Sequence, residues 1–457
     1  MTLSIFDSKT QQIESFAPLQ AGAVNIYVCG PTVQSAPHVG HLRSAVAFDI
    51  VANWLRIGHN LKVTVARNVT DIDDKILVNA AEQGEDWRQL AVDVEQIFNA
   101  VYDDLGAAVD LTPHATEHID DMIALIETLI SRGHAYQAAD GSPNVFFDTA
   151  SWSGYGELTN QKLENMVGEE VVSHGRRSAN DFALWKAAKA DEPATASWSS
   201  PWGMGRPGWH IECSAMTHSL FGEAFDIHGG GLDLRFPHHE NELAQSRAAG
   251  FAFAKHWMHN GLVTVGGQKM SKSLGNGVSV EQLFEQGSRA AIRYWLGSAH
   301  YRSTLDYSPA AITDASAAVA RVQNFLKRAG ATAQGAAAAD IPVGFATAMD
   351  NDFNVSEALG VLHDTVREGN AKLDANHDAS GEAAQVLAMA EVLGFNLQDE
   401  QVVDAALASQ VESLIEQRRQ ARADKNFSRA DEIRDELANL GVAIEDTANG
   451  TTWSLNG

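Results

Sequence analysis

Residues 24–65 read VNIYVCGPTVQSAPHVGHLRSAVAFDIVANWLRIGHNLKVTV. Val24 to Cys29 form a short apolar run closed by the turn pair Gly30-Pro31, which predicts a buried strand. From His38 the period changes. Leu42, Val46, Ile50, Trp54 and Ile57 recur at three- or four-residue spacing, which predicts a helix. Leu61, Val63 and Val65 then alternate with Lys62 and Thr64, giving a second strand. A further helix runs through Ile76 and Leu77. Asp71, Asp73 and Asp74 lie near its start, where a solvated, dipole-favoured cluster is the simplest reading. Strand, helix, strand and helix at this spacing predict an α/β fold on a Rossmann-like parallel sheet with crossover helices.

Outward from that stretch, residues 112–205 break the rhythm. They hold a predicted helix from Ile119 to Ile130, a hairpin-like run at Asn144-Val-Phe-Phe-Asp148, and a Pro-, Ser- and Trp-rich loop from Glu192 to Pro207. This reads as an insertion between two halves of one domain, residues 1–111 and 206–306. Beyond Tyr307 the pattern is helical, predicting a bundle over 307–405, with the Ala-rich run Ala331 to Asp340 as a linker. A small unit over 406–457 has helices from near Val411 and a β-like tail, Val442 to Leu455.

The 457 residues carry 33 Lys+Arg against 59 Asp+Glu, a net charge of −26. That excess argues against indiscriminate nucleic-acid binding but leaves room for a local basic face. No stretch approaches the ~20 apolar residues of a membrane span, and the start has neither a basic segment nor an apolar signal core, so a cytoplasmic protein is expected. Cys29 and Cys213 are its two cysteines. A long-range disulfide fits a reducing compartment poorly; two buried, inert thiols are the plainer alternative.

Three constellations carry chemistry. Pro37-His38-Val39-Gly40-His41 places two imidazoles at i, i+3 on a helix N-terminus, where free N–H groups and the dipole favour an anion such as a triphosphate. Gly40 would let a flat base approach the backbone. Lys269-Met270-Ser271-Lys272-Ser273 is a cationic, hydroxyl-bearing loop suited to a pyrophosphate leaving group. Taken singly, surface histidines and a solvated loop are the simpler readings. The third is scattered over Tyr27-Val-Cys-Gly-Pro-Thr-Val33, Gly208-Trp-His-Ile-Glu-Cys-Ser-Ala-Met216 and Phe236-Pro-His-His-Glu-Asn-Glu242. His238 and Glu242, four apart, share a helix face. Two thiols, an imidazole and a carboxylate make a zinc-type donor set, although spacing alone does not join the segments.

The first two motifs resemble the HIGH and KMSKS signatures of class I aminoacyl-tRNA synthetases, with Val39 in place of Ile. The third set, together with Arg67-Asn-Val-Thr-Asp-Ile-Asp-Asp-Lys75, resembles the cysteinyl-tRNA synthetase family from about residue 3 to residue 455. The resemblance implies one Zn²⁺ per chain on Cys29, Cys213, His238 and Glu242, with His239 and Glu240 as mere neighbours. It implies catalytic roles for His38, His41, Lys269 and Lys272, and ATP contacts at His38, Gly40, His41, Gly230, Gly231, Asp233 and Lys272. Cys29, Thr32, Thr70 and Trp209 are the implied cysteine contacts; a turn at Gly230 to Asp233 and a core Trp209 stay open as structural readings. The implied partners are ATP with Mg²⁺, L-cysteine and tRNA(Cys), for a monomer with no membrane attachment.

The segment from Gln417 to Arg434, with Arg418, Arg419, Arg422, Lys425, Arg429 and Arg434, resembles the family's anticodon-binding unit, although a solvated helical hairpin would carry similar charge. A ligase that joins activated cysteine to an amino sugar is the close alternative, and it lacks that full tail. A non-catalytic RNA-binding paralogue should have lost some of these motif residues, and a zinc hydrolase should show a general base beside the metal set.

Overall fold

The computed structural model describes residues 2–161, 175–270, 277–331, 341–395, 397, 405–424, 426–447 and 450–455. Lys272, Lys425, the run 271–276 and most of the Ala-rich segment (332–340) lie outside these residues, as does the side chain of Lys269.

The chain opens with a hairpin, β1 (Ser4–Asp7) and β2 (Gln12–Ser15), then enters β3 (Ala23–Val28), α1 (Val39–Ile57) and β4 (Lys62–Arg67). Along β3, Val24, Ile26 and Val28 pack into one core and Tyr27 into another, so both faces of this sheet are covered, as a parallel sheet requires. Leu42, Val46, Ile50 and Trp54 are buried in α1, but Ile57, in the last turn before Gly58, is 38% exposed. Val39, Ala47, Val51 and Leu55 are also buried: this helix is wrapped on most sides rather than carrying one apolar stripe.

After β4 come α2 (Asp74–Gln83) and α3 (Trp87–Asp104). The aspartate cluster at the start of α2 divides its labour, contrary to the solvated reading. Asp73 caps the helix by accepting from Lys75 N at 3.0 Å. Asp71 instead accepts from the backbone N–H (2.9 Å) and hydroxyl (2.5 Å) of Thr116, and Asp74 pairs with Lys186 (2.8 Å) and with the buried Arg206. Two of the three thus tie α2 to the central region, Asp74 doing so with its side chain still 41% exposed.

That region holds α4 (Ile119–Ser131) and an antiparallel sheet of β5 (Ala135–Gln137), β6 (Val145–Phe147), β7 (Phe182–Ala187) and β8 (Gly205–Pro207). The chain then returns through α5 (Trp209–Phe221), β9 (Ala224–Gly231), α6 (Glu240–Ala248) and β10 (Phe253–Asn260). The main sheet has the order β10-β9-β3-β4, all parallel. From β3 the chain moves outward to β4 on one side, while β9 and β10 fill the other. The C-terminal ends of β3 and β9 therefore flank a topological switch point, where α/β sheets bind ligands.

A small sheet of β11 (Val263–Val265), β12 (Gln268–Lys269) and β13 (Leu305–Tyr307) follows, with α7 (Val280–Phe284) and α8 (Arg289–Ser298) between its strands. Then come α9 (Pro309–Arg328), α10 (Val343–Asp350), α11 (Val355–Asp374) and α12 (Ser380–Leu393). Phe325, Phe345, Leu362 and Met389 join the same core as α1, and Trp54 Nε1 donates to Asp350 at 3.0 Å, so these helices are continuous with the sheet's packing. α13 (Ala405–Ala423), α14 (Phe427–Asn439) and the hairpin β14 (Val442–Thr447)/β15 (Gly450–Leu455) close around a separate cluster of Val411, Leu414, Ile433, Leu437 and Val442. No helix among the described residues is long and apolar enough to cross a membrane.

Candidate metal and nucleotide site

Cys29 stands one residue past β3, its backbone N–H donating to Gly229 O of β9 at 3.0 Å. The close approach of β4's end explains Gly30: a Cβ there would stand 1.8 Å from Asn68 O. Cys213 is on the first turns of α5, which is buried there from His210 to Thr217. Beside it, Glu242 belongs to α6, while His238 precedes that helix in a wider turn, Arg235–His239. The four groups converge. Cys29 Sγ is 3.7 Å from Cys213 Sγ and 3.3 Å from Glu242 Oε1, and His238 Nε2 is 3.1 Å from the same oxygen. All four ligand atoms lie within 4.8 Å of one another.

The electrostatics of this cluster favour a cation. Burial pushes the Cys29 thiol up, as do the neighbouring Cys213 and Glu242. Cys213 is also raised by burial, but the Cys29 thiol and His238 outweigh that and bring it down to about 6. Glu242 is raised by burial yet held below the usual carboxylate range by His228 and His238. Buried anions around two soft sulfurs match zinc chemistry.

The contacts among the neighbouring histidines escaped the sequence reading. His228 Nε2 contacts Glu242 Oε2 at 2.8 Å, His239 Nδ1 meets His259 Nε2 at 2.8 Å, and His210 Nδ1 faces His238 Nδ1 at 3.0 Å. Burial holds His210 and His239 well below the ordinary imidazole range and His259 at about 3, so they are neutral partners. Cys29, Glu242, His228 and His239 form a second four-atom grouping of equal compactness. The set with Cys213 is the better zinc site because it offers two thiols, whereas in the other grouping His228 Nε2 is already engaged by Glu242 Oε2. Glu240, read as a bystander, accepts from Gly156 N, Thr159 N and Thr159 Oγ1 at 2.9 Å and ties α6 to the central region.

The other predicted residues fall around this centre. Thr32 and Thr70 face each other across a bridge, and Thr70 Oγ1 donates to the buried Glu212 at 2.8 Å. Trp209, half-buried, stacks on His238 with ring centroids 4.2 Å apart. Gly230 and Gly231 end β9, and the exposed Asp233 follows in a short turn. A Cβ on Gly230 would stand 2.8 Å from the His239 ring, so this glycine is needed for packing as well as for any ligand.

His38 caps α1: its Nδ1 accepts from Gly40 N at 3.1 Å, and His41 Nδ1 accepts from His38 N at 3.2 Å. The rings stack at 3.8 Å. With both Nδ1 atoms accepting, the neutral rings carry their protons on Nε2. A Cβ on Gly40 would stand 2.9 Å from the His38 ring, which gives that glycine a packing reason of its own. An isolated bridge joins His38 to Ser279, so the chain re-enters beside His38 just after the segment that contains Lys272.

In the C-terminal unit, Arg419 pairs with Glu416, Arg429 with Glu432 and Glu436, and Arg434 with Asp431. The basic charge is thus partly matched within the helices. Trp453 packs on the local core, whereas Phe427 is 63% exposed.

Comparison with known proteins agrees along the length of the chain. Residues 15–317 match the family model for the tRNA synthetases class I (C) catalytic domain, 344–398 the DALR domain, and 404–453 the cysteinyl-tRNA ligase anticodon binding domain. The chain is 50% identical, over 488 aligned residues covering 100% of it and 99% of the relative, to a cysteine–tRNA ligase of Renibacterium salmoninarum. It is 52% identical over 485 residues, covering all of both chains, to a cysteine–tRNA ligase of Clavibacter sepedonicus. Among solved structures, a Mycobacterium tuberculosis methionyl-tRNA synthetase in complex with methionyl-adenylate shares the fold, with a TM-score of 0.55 over 81% of this chain and 89% of that one at 16% identity. Motifs, parallel sheet, C-terminal unit and full-length likeness agree, and the chain belongs to the cysteine–tRNA ligase family of class I aminoacyl-tRNA synthetases.

Proposed function

We propose that the chain activates L-cysteine with ATP and passes it to the 3′ end of tRNA(Cys). The carboxylate of cysteine attacks the α-phosphate of ATP, giving cysteinyl-adenylate and pyrophosphate; a terminal ribose hydroxyl of tRNA then takes the cysteinyl group and releases AMP. The observation that carries this reading is the convergence of Cys29, Cys213, His238 and Glu242 at the β3/β9 switch point, with the His38–His41 cap opening the helix that follows β3.

Cys29, Cys213, His238 and Glu242 would hold zinc, which supplies a soft Lewis acid able to tell a thiol from a hydroxyl. A purely apolar pocket gains only ~1–3 kcal/mol from a methylene-sized difference, so this donor set gives selectivity that packing does not. Thr32, Thr70 and Trp209 line the place of the amino acid. Gly230, Gly231 and Asp233 receive the nucleoside. His38 and His41 donate through Nε2 to phosphate oxygens as charge develops, at a helix N-terminus already favourable to anions. Lys269 and Lys272 add positive charge on the pyrophosphate side, with Mg²⁺ entering alongside ATP. Catalysis is then positioning and charge stabilisation, with no side-chain nucleophile.

In this reading residues 1–111 and 206–306 form the catalytic domain, 112–205 its insertion, 307–405 the bundle and 406–457 the anticodon-binding unit, in a cytoplasmic monomer. The match of 404–453 to an anticodon binding domain favours tRNA over an amino-sugar acceptor. Amino-acid-dependent ATP–pyrophosphate exchange tests the proposal. Cysteine should support exchange and serine should not, and Cys213→Ser should lose both bound zinc and cysteine-dependent exchange. Equal exchange with serine, or a fully active Cys213→Ser, would refute the selectivity mechanism.

A further inference from the structure

Away from this centre, the N-terminal hairpin meets the edge strand β10 around a second group of metal-type donors. His256, on β10, is 2% exposed, and neither of its ring nitrogens has a hydrogen-bond partner. Its Nδ1 is aimed at two carboxylates, 3.6 Å from Asp7 Oδ2 and 4.0 Å from Glu14 Oε2. These separations are too long for hydrogen bonds. The shorter is close to the ~3.3–3.5 Å edges that donors span around a tetrahedral cation with bonds of about 2.1 Å, and the longer leaves Glu14 about 0.5 Å to close.

The second oxygen of each carboxylate is already fixed. Asp7 Oδ1 accepts from Lys9 N at 2.6 Å and Thr10 N at 3.2 Å, closing the hairpin turn, and Glu14 Oε1 accepts from Thr10 Oγ1 at 2.5 Å. That leaves Asp7 Oδ2 and Glu14 Oε2 on the side of His256, and the three residues each offer one ligand atom, all within 4.8 Å of one another. Asp7 is 2% exposed, whereas the Glu14 side chain is 36% exposed and gives water a way to complete a coordination shell. Ser8 N donates to Trp257 O at 2.8 Å, so the backbones of hairpin and strand are already docked beside the group.

We propose that Asp7, Glu14 and His256 form a second divalent-metal site, taking zinc or a like first-row cation and clipping the N-terminal hairpin to the edge of the parallel sheet. Two carboxylates and one imidazole suit such an ion, and without thiolates the site binds more weakly than the cysteine set. The inference is independent of the catalytic reading, because none of its three residues belongs to the Cys29–Cys213 centre.

The test uses full-length protein dialysed against EDTA until metal analysis finds a single zinc per chain, and then titrated with Co²⁺. The wild type should take up one further saturable equivalent, with ligand-field bands and no sulfur-to-cobalt charge-transfer band. Glu14→Gln should bind that equivalent at least tenfold more weakly, and His256→Gln should not bind it. Should His256→Gln fail to fold, the half-exposed Glu14 decides the matter. Absence of a saturable second equivalent, a thiolate charge-transfer band, or wild-type affinity in Glu14→Gln would each overturn the site.

Discussion

Gly30→Ala tests how tightly the strand ends hold the centre. Gly30 follows Cys29 and donates its N–H to Asn68 Oδ1 at 2.8 Å. An added Cβ would lie 1.8 Å from Asn68 O and 2.9 Å from Asn68 C, both backbone atoms that no rotamer change moves aside. Reaching a tolerable 3.0 Å from that oxygen requires the ends of β3 and β4 to part by about 1.2 Å. Thr70 N→Pro31 O (3.1 Å) and Val33 N→Thr70 O (3.2 Å) span the same gap, so the shift reaches Thr32, Thr70 and the Cys29 thiol together. Overpacking of this kind costs ~1–3 kcal/mol in stability. Misplacement by about 1 Å costs on the order of 10²-fold in rate. The expected result is a folded protein with a lowered melting temperature, reduced zinc content, and kcat/KM for cysteine in pyrophosphate exchange down about 10²-fold. Wild-type zinc content and exchange rate in Gly30→Ala would show that the strands part without moving the thiol, and the argument would fail.

A chain ending at residue 395 should keep cysteine-dependent pyrophosphate exchange yet charge tRNA at least ~10-fold more slowly, because it loses the region matched to an anticodon binding domain while the main core keeps its packing. Unimpaired charging would remove that role from the C-terminal unit. His114 pairs with Glu95 at 2.9 Å; burial lowers its pKa, but the hydrogen bond and charge of Glu95 outweigh this and raise it above the usual imidazole value. A raised folded-state pKa contributes stability that is fully present below about pH 6.5 and is lost as pH climbs through the raised value. Glu95→Gln should therefore lower the melting temperature more at pH 6 than at pH 9, and an equal loss at both would contradict the assignment. Gly360 lies exposed within α11 with nothing within 4 Å of a built Cβ, so Gly360→Ala should stabilise the protein by ~0.5–1 kcal/mol in denaturant melts and leave exchange unchanged.

The sequence by itself determined the local grammar. Val24 to Cys29, the periodic run through Trp54 and the alternation at Leu61 to Val65 specify strand, helix and strand because each is set by residues within a few positions of one another. The two signature motifs and the donor types of the third were legible for the same reason, and their combination was specific enough to indicate the family. What the tertiary structure decided is which distant groups meet. Placing β9 beside β3 sets His228 against Glu242 and brings Cys29 to Cys213, and no periodicity encodes the neighbour of a parallel strand some two hundred residues away. The same holds for Asp71 and Asp74, which a helix-dipole argument sends to solvent and which the fold gives to Thr116 and to Lys186 and Arg206. It holds as well for Glu240, which anchors the central region, and for His256, whose carboxylate neighbours come from a hairpin at the start of the chain. Burial makes these pairings matter, since a polar group removed from water must find its partner wherever the fold supplies one.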